Sequence, residues 1–208
     1  MKVLILGATG GTGLQMVRRS IFSGHKVTAF VRNASALEDF KDQISISTGD
    51  PLDPNQLIVA LEGQDAVLSG FGPRVPIAKS DVHLLRTFAT SVTTAMEQSA
   101  VRRLVIISSA FLFKNSIVPP TYLLGRLIFP DVVKDTTNLE EIVRRSKTDW
   151  TIVRPPQLTD RPYTGKYRER IGHLPFMGFK ISRADVADYF LKSISMKSVI
   201  NEVVGISN

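Results

Sequence analysis

Met1-Lys2-Val3-Leu4-Ile5-Leu6-Gly7-Ala8-Thr9-Gly10-Gly11-Thr12-Gly13-Leu14 opens the chain, and its reading decides the fold. The apolar run rich in branched residues predicts a strand, and the glycines at 7, 10 and 13 predict a turn. Leu14, Val17 and Ile21 then share one helical face, with Arg18 and Arg19 elsewhere. Gly7 turns the chain tightly, Gly10 lets backbone approach a pyrophosphate, and Gly13 lets the helix pack close to the strand. The helix N-terminus so formed offers unpaired N–H groups to anionic oxygens. The ligand implied is a dinucleotide. A plain glycine turn competes with this reading, but Phe22-Ser23-Gly24-His25-Lys26-Val27-Thr28-Ala29-Phe30-Val31-Arg32 supplies a turn and a second strand at the distance a βαβ unit needs.

Outward from that stretch, 208 residues with 43% hydrophobic and 22% charged content provide for one large core and one domain, 1–208. There is no cysteine, so neither disulfides nor thiolate chemistry contributes. The sequence starts on a core strand with no basic leader or apolar signal segment, which makes a cytoplasmic protein the expectation. No apolar run is long enough to span a bilayer. The net charge of +7 would suit nucleic acid, an acidic surface or an anionic small molecule. Arg18-Arg19, Arg102-Arg103 and Arg144-Arg145 are isolated pairs, however, with no basic tail or interleaved aromatics, and read as solvated surface charge rather than a nucleic-acid face. His25, His83 and His173 share no ligand spacing, so no metal site is expected.

After the second strand comes Arg32-Asn33-Ala34-Ser35, where a dinucleotide fold places the group that reads the adenine ribose. An acidic residue there would bond the 2′-hydroxyl of NAD. Arg32 instead suits a 2′-phosphate, in a charge-assisted contact worth on the order of 1.5–3 kcal/mol, so NADP is expected over NAD. Ile44 to Ser47 is a third strand ending in Thr48-Gly49-Asp50-Pro51, and Asp53 caps a short helix through Leu57 and Leu61. Asp50 is a candidate adenine contact; an aspartate that merely closes the turn is the equal alternative. A fourth strand, from Asp65, runs into Ser69-Gly70-Phe71-Gly72-Pro73-Arg74, whose glycines let backbone lie against a flat ligand. Ser80 is read as the cap of a long helix with Leu85, Phe88, Val92 and Met96 in its core stripe.

Leu104 to Ile107 is apolar on both faces, as a central parallel strand requires, and ends in Ser108-Ser109-Ala110. The mixed stretch from Val118 to Pro130 suggests a lid, Asp131 begins a helix, and Trp150 to Arg154 is a sixth strand broken by Pro155-Pro156-Gln157. A small substrate-side region is expected around 155–180, with 161–179 either a loop or a small hairpin. Ser182 caps a last helix and Glu202 to Ile206 adds a final strand. The fold is therefore α/β, a Rossmann-type doubly wound parallel sheet flanked by helices. Gly7, Arg32, Asp50, Gly70 and Ser109 then all lie at the carboxyl ends of strands, where ligands bind in such sheets.

Gly-Ala-Thr-Gly-Gly-Thr-Gly at 7–13, Val-Arg at 31–32, Gly-Asp at 49–50, Gly-Gln-Asp-Ala-Val at 63–67, Ser-Ala-Phe-Leu at 109–112, Val-Pro-Pro at 118–120, Pro-Pro at 155–156 and Pro-Tyr-Thr-Gly at 162–165 occur in an order with a family likeness. The chain resembles the atypical short-chain dehydrogenase/reductase group of NAD(P)-binding proteins, and within it the biliverdin-IXβ reductase/flavin reductase enzymes. The resemblance implies that Thr9, Gly10, Gly11, Thr12 and Gly13 hold the pyrophosphate, Arg32 and Ser35 the 2′-phosphate, and Asp50 the adenine side. It also implies that Gly72 and Arg74 border the cofactor, while Ser109, Ala110 and Pro156 flank the nicotinamide. Two departures matter. Gln157 stands where the reductases have a histidine, and the tyrosine-lysine pair of the wider superfamily is missing, since Tyr122 is followed at that spacing by Arg126.

That missing pair bears on the chemistry. Interconverting an alcohol and a carbonyl needs a proton moved in step with hydride, which a tyrosine beside an ammonium supplies in the wider superfamily. A flavin, quinone or linear tetrapyrrole is less demanding, because the acceptor is an extended conjugated system and water can protonate it. The expectation is an NADPH-dependent reductase of such an acceptor, FMN or a quinone for example, with Ser109 and Gln157 at the reacting end, acting as a monomer or homodimer. A non-catalytic NADP-binding regulator is the alternative, and a sugar-nucleotide or carbonyl enzyme using Tyr122 or Tyr163 is a third reading.

Overall fold

The computed structural model describes residues 1–73, 83–113 and 130–208. Ten strands and five α-helices are present among them. In chain order they are β1 (Lys2–Leu6), α1 (Gly11–Phe22), β2 (Lys26–Val31), β3 (Ser45–Thr48), α2 (Pro54–Leu61), β4 (Ala66–Ser69), α3 (Leu84–Glu97) and β5 (Arg103–Ile107). Then follow α4 (Pro130–Arg145), β6 (Asp149–Arg154), β7 (Gln157–Thr159), β8 (Arg168–Ile171), β9 (Lys180–Ser182), α5 (Arg183–Ser195) and β10 (Glu202–Ser207).

Eight strands form one sheet in the order β3-β2-β1-β4-β5-β6-β10-β8, parallel except where β8 runs against β10. The strand order reverses between β1 and β4, the neighbours on which the glycine turn sits. Alternation of side chains sorts the core into two layers. Leu4, Leu6, Leu104 and Ile106 face α2, α3 and α4, while Val3, Ile5 and Val105 face α1 and α5. Because both faces are covered, β1 and β5 read as unbroken apolar runs.

Local capping follows the sequence at two helices. Asp53 Oδ1 accepts from Asn55 N at 2.9 Å, and Ser182 Oγ accepts from Asp185 N at 2.9 Å. α3 is capped differently. Ser80 lies outside the described residues, and the helix from Leu84 has its Leu85 and Arg86 N–H groups accepted by the buried Asp135 of α4, at 2.8 and 3.0 Å. Of the stretch from Val118 to Pro130 expected to form a lid, all but Pro130 likewise lies outside the described residues.

The segment 161–179 is neither a plain loop nor a hairpin. Its β8 adds an antiparallel edge strand to the main sheet, pairing Arg168 with Ser207, and the chain then returns so that β9 pairs in parallel with β7. Arg103 corrects the reading of the arginine pairs as solvated. It is 7% exposed, and its guanidinium donates to Asp149 O (2.6 Å), Thr151 Oγ1 (2.8 Å), Ile194 O (3.1 Å) and Ser193 O (2.5 Å). It thereby satisfies carbonyls in the last turn of α5, where a cation is favoured.

Candidate cofactor site

The glycine turn joins β1 to α1 by close backbone contact. Gly7 has φ +74°, and a Cβ on it would lie 2.7 Å from Phe71 N. A Cβ on Gly13 would overlap the Gly7 carbonyl, whereas one on Gly10 would stand 3.3 Å from Gly7 O. Gly7 and Gly13 are thus required by the fold, while Gly10 is exposed and lines a cleft. The first helical bond runs from Leu14 N to Gly10 O at 2.8 Å, which leaves the N–H groups of Gly11, Thr12 and Gly13 ahead of it. α1 carries no acidic residue in its first turn, so the positive end of the helix has no side chain of its own to neutralise it. A backbone cradle that a side chain would fill, backed by helix N–H groups, fits the diphosphate of a dinucleotide.

A cleft runs from this turn along the strand ends, lined by Gly7, Thr9, Gly10, Arg32, Gly70, Phe71 and Gly72. Gly70 N donates to Leu6 O at 3.0 Å, and a Cβ on Gly70 would lie 3.4 Å from Gly13 N, so the β4 end is pressed against α1. A Cβ on Gly72 would meet nothing within 4 Å. Phe71 stacks on Phe88, ring centroids 4.2 Å apart, which fixes the wall it forms. Phe30, Val31, Pro51 and Leu84 complete the lining. Nothing in the sequence marks Pro51 or Leu84 as lining residues: a proline after Gly49-Asp50 ends a strand, and Leu84 precedes the apolar helical stripe that starts at Leu85. Arg74 lies outside the described residues.

Arg32 stands exposed at the end of β2 and, among the described residues, has no ion-pair partner. Ser35 is exposed and its N–H donates to Asn33 Oδ1 at 2.8 Å, an Asx turn that follows Arg32 in the chain. Asp50 closes a turn, its Oδ1 accepting from Leu52 N at 3.0 Å, and it is Pro51 next to it that reaches the cleft.

At the carboxyl ends of β5 and β6, Ser108 N donates to Val153 O (2.7 Å) and Ala110 N to Pro155 O (3.0 Å), which ties the two strand ends together. This brings Ser109 and Ala110 beside Pro155 and Pro156. Ser109 Oγ accepts from Phe111 N at 3.3 Å, and Ala110 is buried. Gln157 is exposed and its N–H donates to Phe179 O at 3.3 Å, so the small sheet hangs from the end of β6. Beneath lies a buried network that sequence reasoning missed. Glu140 accepts from Ser108 Oγ (2.5 Å), Arg154 Nε (2.7 Å) and Arg154 Nη2 (2.6 Å), and the Arg154 guanidinium lies 4.5 Å from the Phe113 ring centroid.

Candidate proton donors from the 161–179 segment are elsewhere. Tyr163 lies under the Arg19 guanidinium, 3.6 Å from its ring centroid, two turns along α1. Tyr167 donates to Asp188 Oδ2 at 2.8 Å, and burial followed by that bond to a carboxylate pushes its hydroxyl well above the ordinary tyrosine range. His173 sits beside Gly205 in mid-strand. Among the described residues no group of three or more His, Asp or Glu is placed to hold a metal.

With this geometry, residues 7–197 match the NAD(P)H-binding family. The chain belongs to that family. The uncharacterised protein YwnB of Bacillus subtilis is 25% identical over 182 residues, covering 81% of this chain and 79% of that protein. A Rossmann-fold NAD(P)-binding protein from Shigella flexneri superposes with a TM-score of 0.77 at 26% identity, over 100% of this chain and 93% of that one. An anaerobillin reductase from Escherichia coli O157:H7, ChuY, superposes with a TM-score of 0.78 at 23% identity, over 100% and 97%. The chain thus has the single-domain, mostly parallel Rossmann-like architecture of an NAD(P)H-binding family. No helix among the described residues is long and apolar enough to cross a membrane.

Proposed function

We propose that the protein is an NADPH-dependent reductase that passes hydride to a flavin-like or related conjugated acceptor such as a flavin, a quinone or biliverdin. What supports this reading is the make-up of the chain just past β5 and β6, where Ser109 and Gln157 offer a hydroxyl and an amide, while Tyr163 and Tyr167 are engaged with Arg19 of α1 and Asp188 of α5. Bound NADPH supplies the hydride. The chain's part is then positional: the glycine turn takes the diphosphate, Arg32 and Ser35 the 2′-phosphate, the turn at Asp50 the adenine side, and Gly70 to Gly72 the flat face. Ser109 and Pro156 would border the nicotinamide, with Ala110 N holding Pro155 O so that the two strand ends keep their spacing. Gln157 would orient the acceptor, and water protonates it. The likeness in fold to ChuY, an anaerobillin reductase, is in keeping with an acceptor of this class.

The test is NADPH oxidation against FMN, a quinone, biliverdin, a simple aldehyde and a sugar nucleotide. Turnover with a conjugated acceptor is expected. Tight NADPH binding without turnover on any of them would favour a cofactor-sensing regulator, and activity confined to the aldehyde or sugar nucleotide would favour a carbonyl enzyme.

A further inference from the structure

We propose that Arg183 is a ligand of the cofactor's diphosphate, held on Asp160 until the dinucleotide arrives. Arg183 is the first residue of α5, and its side chain lies across the glycine turn: a Cβ on Gly11 would be 2.8 Å from Arg183 Nε and 2.9 Å from Cδ. Gly11 is also the first residue of α1, so this guanidinium stands at the positive end of a helix with no acidic residue in its first turn. A cation there is repelled by the helix dipole. Its only compensation among the described residues is Asp160, with Nη1 to Oδ1 at 2.7 Å. The Asp160 side chain is 88% exposed, and a pair so open to solvent contributes little and exchanges readily.

A diphosphate reverses this balance. It brings negative charge to the same N–H groups, and a guanidinium can donate to two of its oxygens at once. The absence of a side chain at Gly11 is what leaves room for the arginine. The exchange also has a reach beyond the cofactor. Asp160 follows β7, whose first residue is Gln157, and Arg183 follows β9, so a bound diphosphate would tie the small sheet carrying Gln157 to the cofactor. The inference rests on NAD(P)H binding alone and not on the identity of the acceptor.

Calorimetric titration of the full chain tests it, with NADPH, NADH, 2′-phospho-ADP-ribose and adenosine 2′-monophosphate as probes and the ligand-free melting temperature as the control for folding. Arg183→Gln is expected to weaken the first three alike by about tenfold or more, the loss of a charge-assisted contact, and to leave adenosine 2′-monophosphate, which has no diphosphate, unchanged. Arg183→Lys should fall between, and carries the comparison if the glutamine variant does not fold. Asp160→Asn should tighten the diphosphate ligands, because it removes a competitor. Parallel losses in Arg183→Gln and Asp160→Asn would show a bridge that is only structural and overturn the proposal, as would unchanged diphosphate affinity or an equal loss for adenosine 2′-monophosphate. A wild-type chain that binds neither dinucleotide would reject the cofactor reading itself, and this inference with it.

Discussion

Glu140 and Arg154 form a two-pronged buried pair beneath the end of β5, Nε to Oε1 at 2.7 Å and Nη2 to Oε2 at 2.6 Å. Their side chains are 4% and 10% exposed, so each charge depends on the other for its solvation. Removing one partner of such a pair strands a buried charge, at a cost of about 3–5 kcal/mol. Arg144, the third partner, is half exposed and offsets little of this. Glu140→Gln is therefore expected to lower unfolding free energy by roughly 3 kcal/mol, and Glu140→Gln combined with Arg154→Met to recover much of the loss. Urea unfolding of the two variants measures both. A glutamine variant indistinguishable from wild type would mean that the pair is not holding the β5 end. Because Ser108 donates to the same carboxylate, loosening it should also disturb Ser109 and raise KM for the dinucleotide.

The reach of sequence reasoning follows the distance between partners. The glycine turn and the Asp53 and Ser182 caps involve residues a few positions apart, and each was legible. Arg102 and Arg103 look alike in sequence, yet successive strand residues point to opposite faces, so Arg102 reaches the Lys147 carbonyl at the surface and Arg103 is buried against β6 and α5. Glu140 has partners 4, 14 and 32 residues away, and only the first spacing is a recognisable helical one. β8 gave no periodic signal because all four of its residues are exposed at a sheet edge and there is no face to bury. Arg183 was invisible as a site residue for the same reason as Glu140: its contact with Gly11 crosses most of the chain.

Acid should expose the contribution of Asp188. Burial alone would raise its carboxyl, but hydrogen bonds from Lys192 and Tyr167 and the charges of Lys192 and Arg19 outweigh this and hold it below its ordinary value of 3.8. A carboxyl depressed in the folded state contributes stability that is fully present above its unfolded pKa and is lost as pH falls through the folded one. Wild-type stability should thus decline below about pH 4, and Asp188→Asn should be less stable at pH 7 with a shallower decline. Urea midpoints at pH 7, 4 and 3 decide this. Equal slopes in the two proteins would assign the acid loss to other carboxyls, Asp185 first.

The glycines separate fold from ligand. Gly13→Ala drives a methyl into the Gly7 carbonyl and should destabilise the chain by about 1–3 kcal/mol, the usual cost of overpacking. Gly10→Val meets only Gly7 O, at 3.3 Å for its Cβ, and should fold while losing dinucleotide binding, since the side chain fills the diphosphate's place. Thermal melts paired with NADPH titration distinguish the two. Unchanged NADPH affinity in the valine variant would reduce the turn to a structural role.

Arg32 should set the choice of cofactor. It has no ion-pair partner among the described residues and lines the cleft exposed at the end of β2, so its charge is available to a 2′-phosphate. Arg32→Ala is expected to weaken NADPH by roughly ten- to a hundredfold and NADH far less, and added salt should weaken NADPH preferentially because the contact is exposed. Equal losses for both dinucleotides would remove Arg32 from the 2′-phosphate. The pattern differs from that of Arg183→Gln, which should affect both.

Ser109 and Gln157 carry the last prediction. Ser109 Oγ is an acceptor for Phe111 N, and Gln157 is exposed on the small sheet; neither has a proton to give near neutral pH. If the two act by orientation, Ser109→Ala should lower kcat by less than about a hundredfold, the smallest effect usual for a lost general acid, and Gln157→Ala should act mainly on KM for the acceptor. The rate on a flavin should be nearly flat between about pH 6 and 8, since no group titrating there takes part. Gln157→His should add a pH-dependent limb near about 6.5, the unperturbed imidazole value. A wild-type profile that already breaks sharply in this range, and still does so in both alanine variants, would require a proton donor elsewhere. Tyr163 is stacked on Arg19 and Tyr167 is bonded to Asp188 with its hydroxyl pushed upward, so Tyr122→Phe would be the variant to make first.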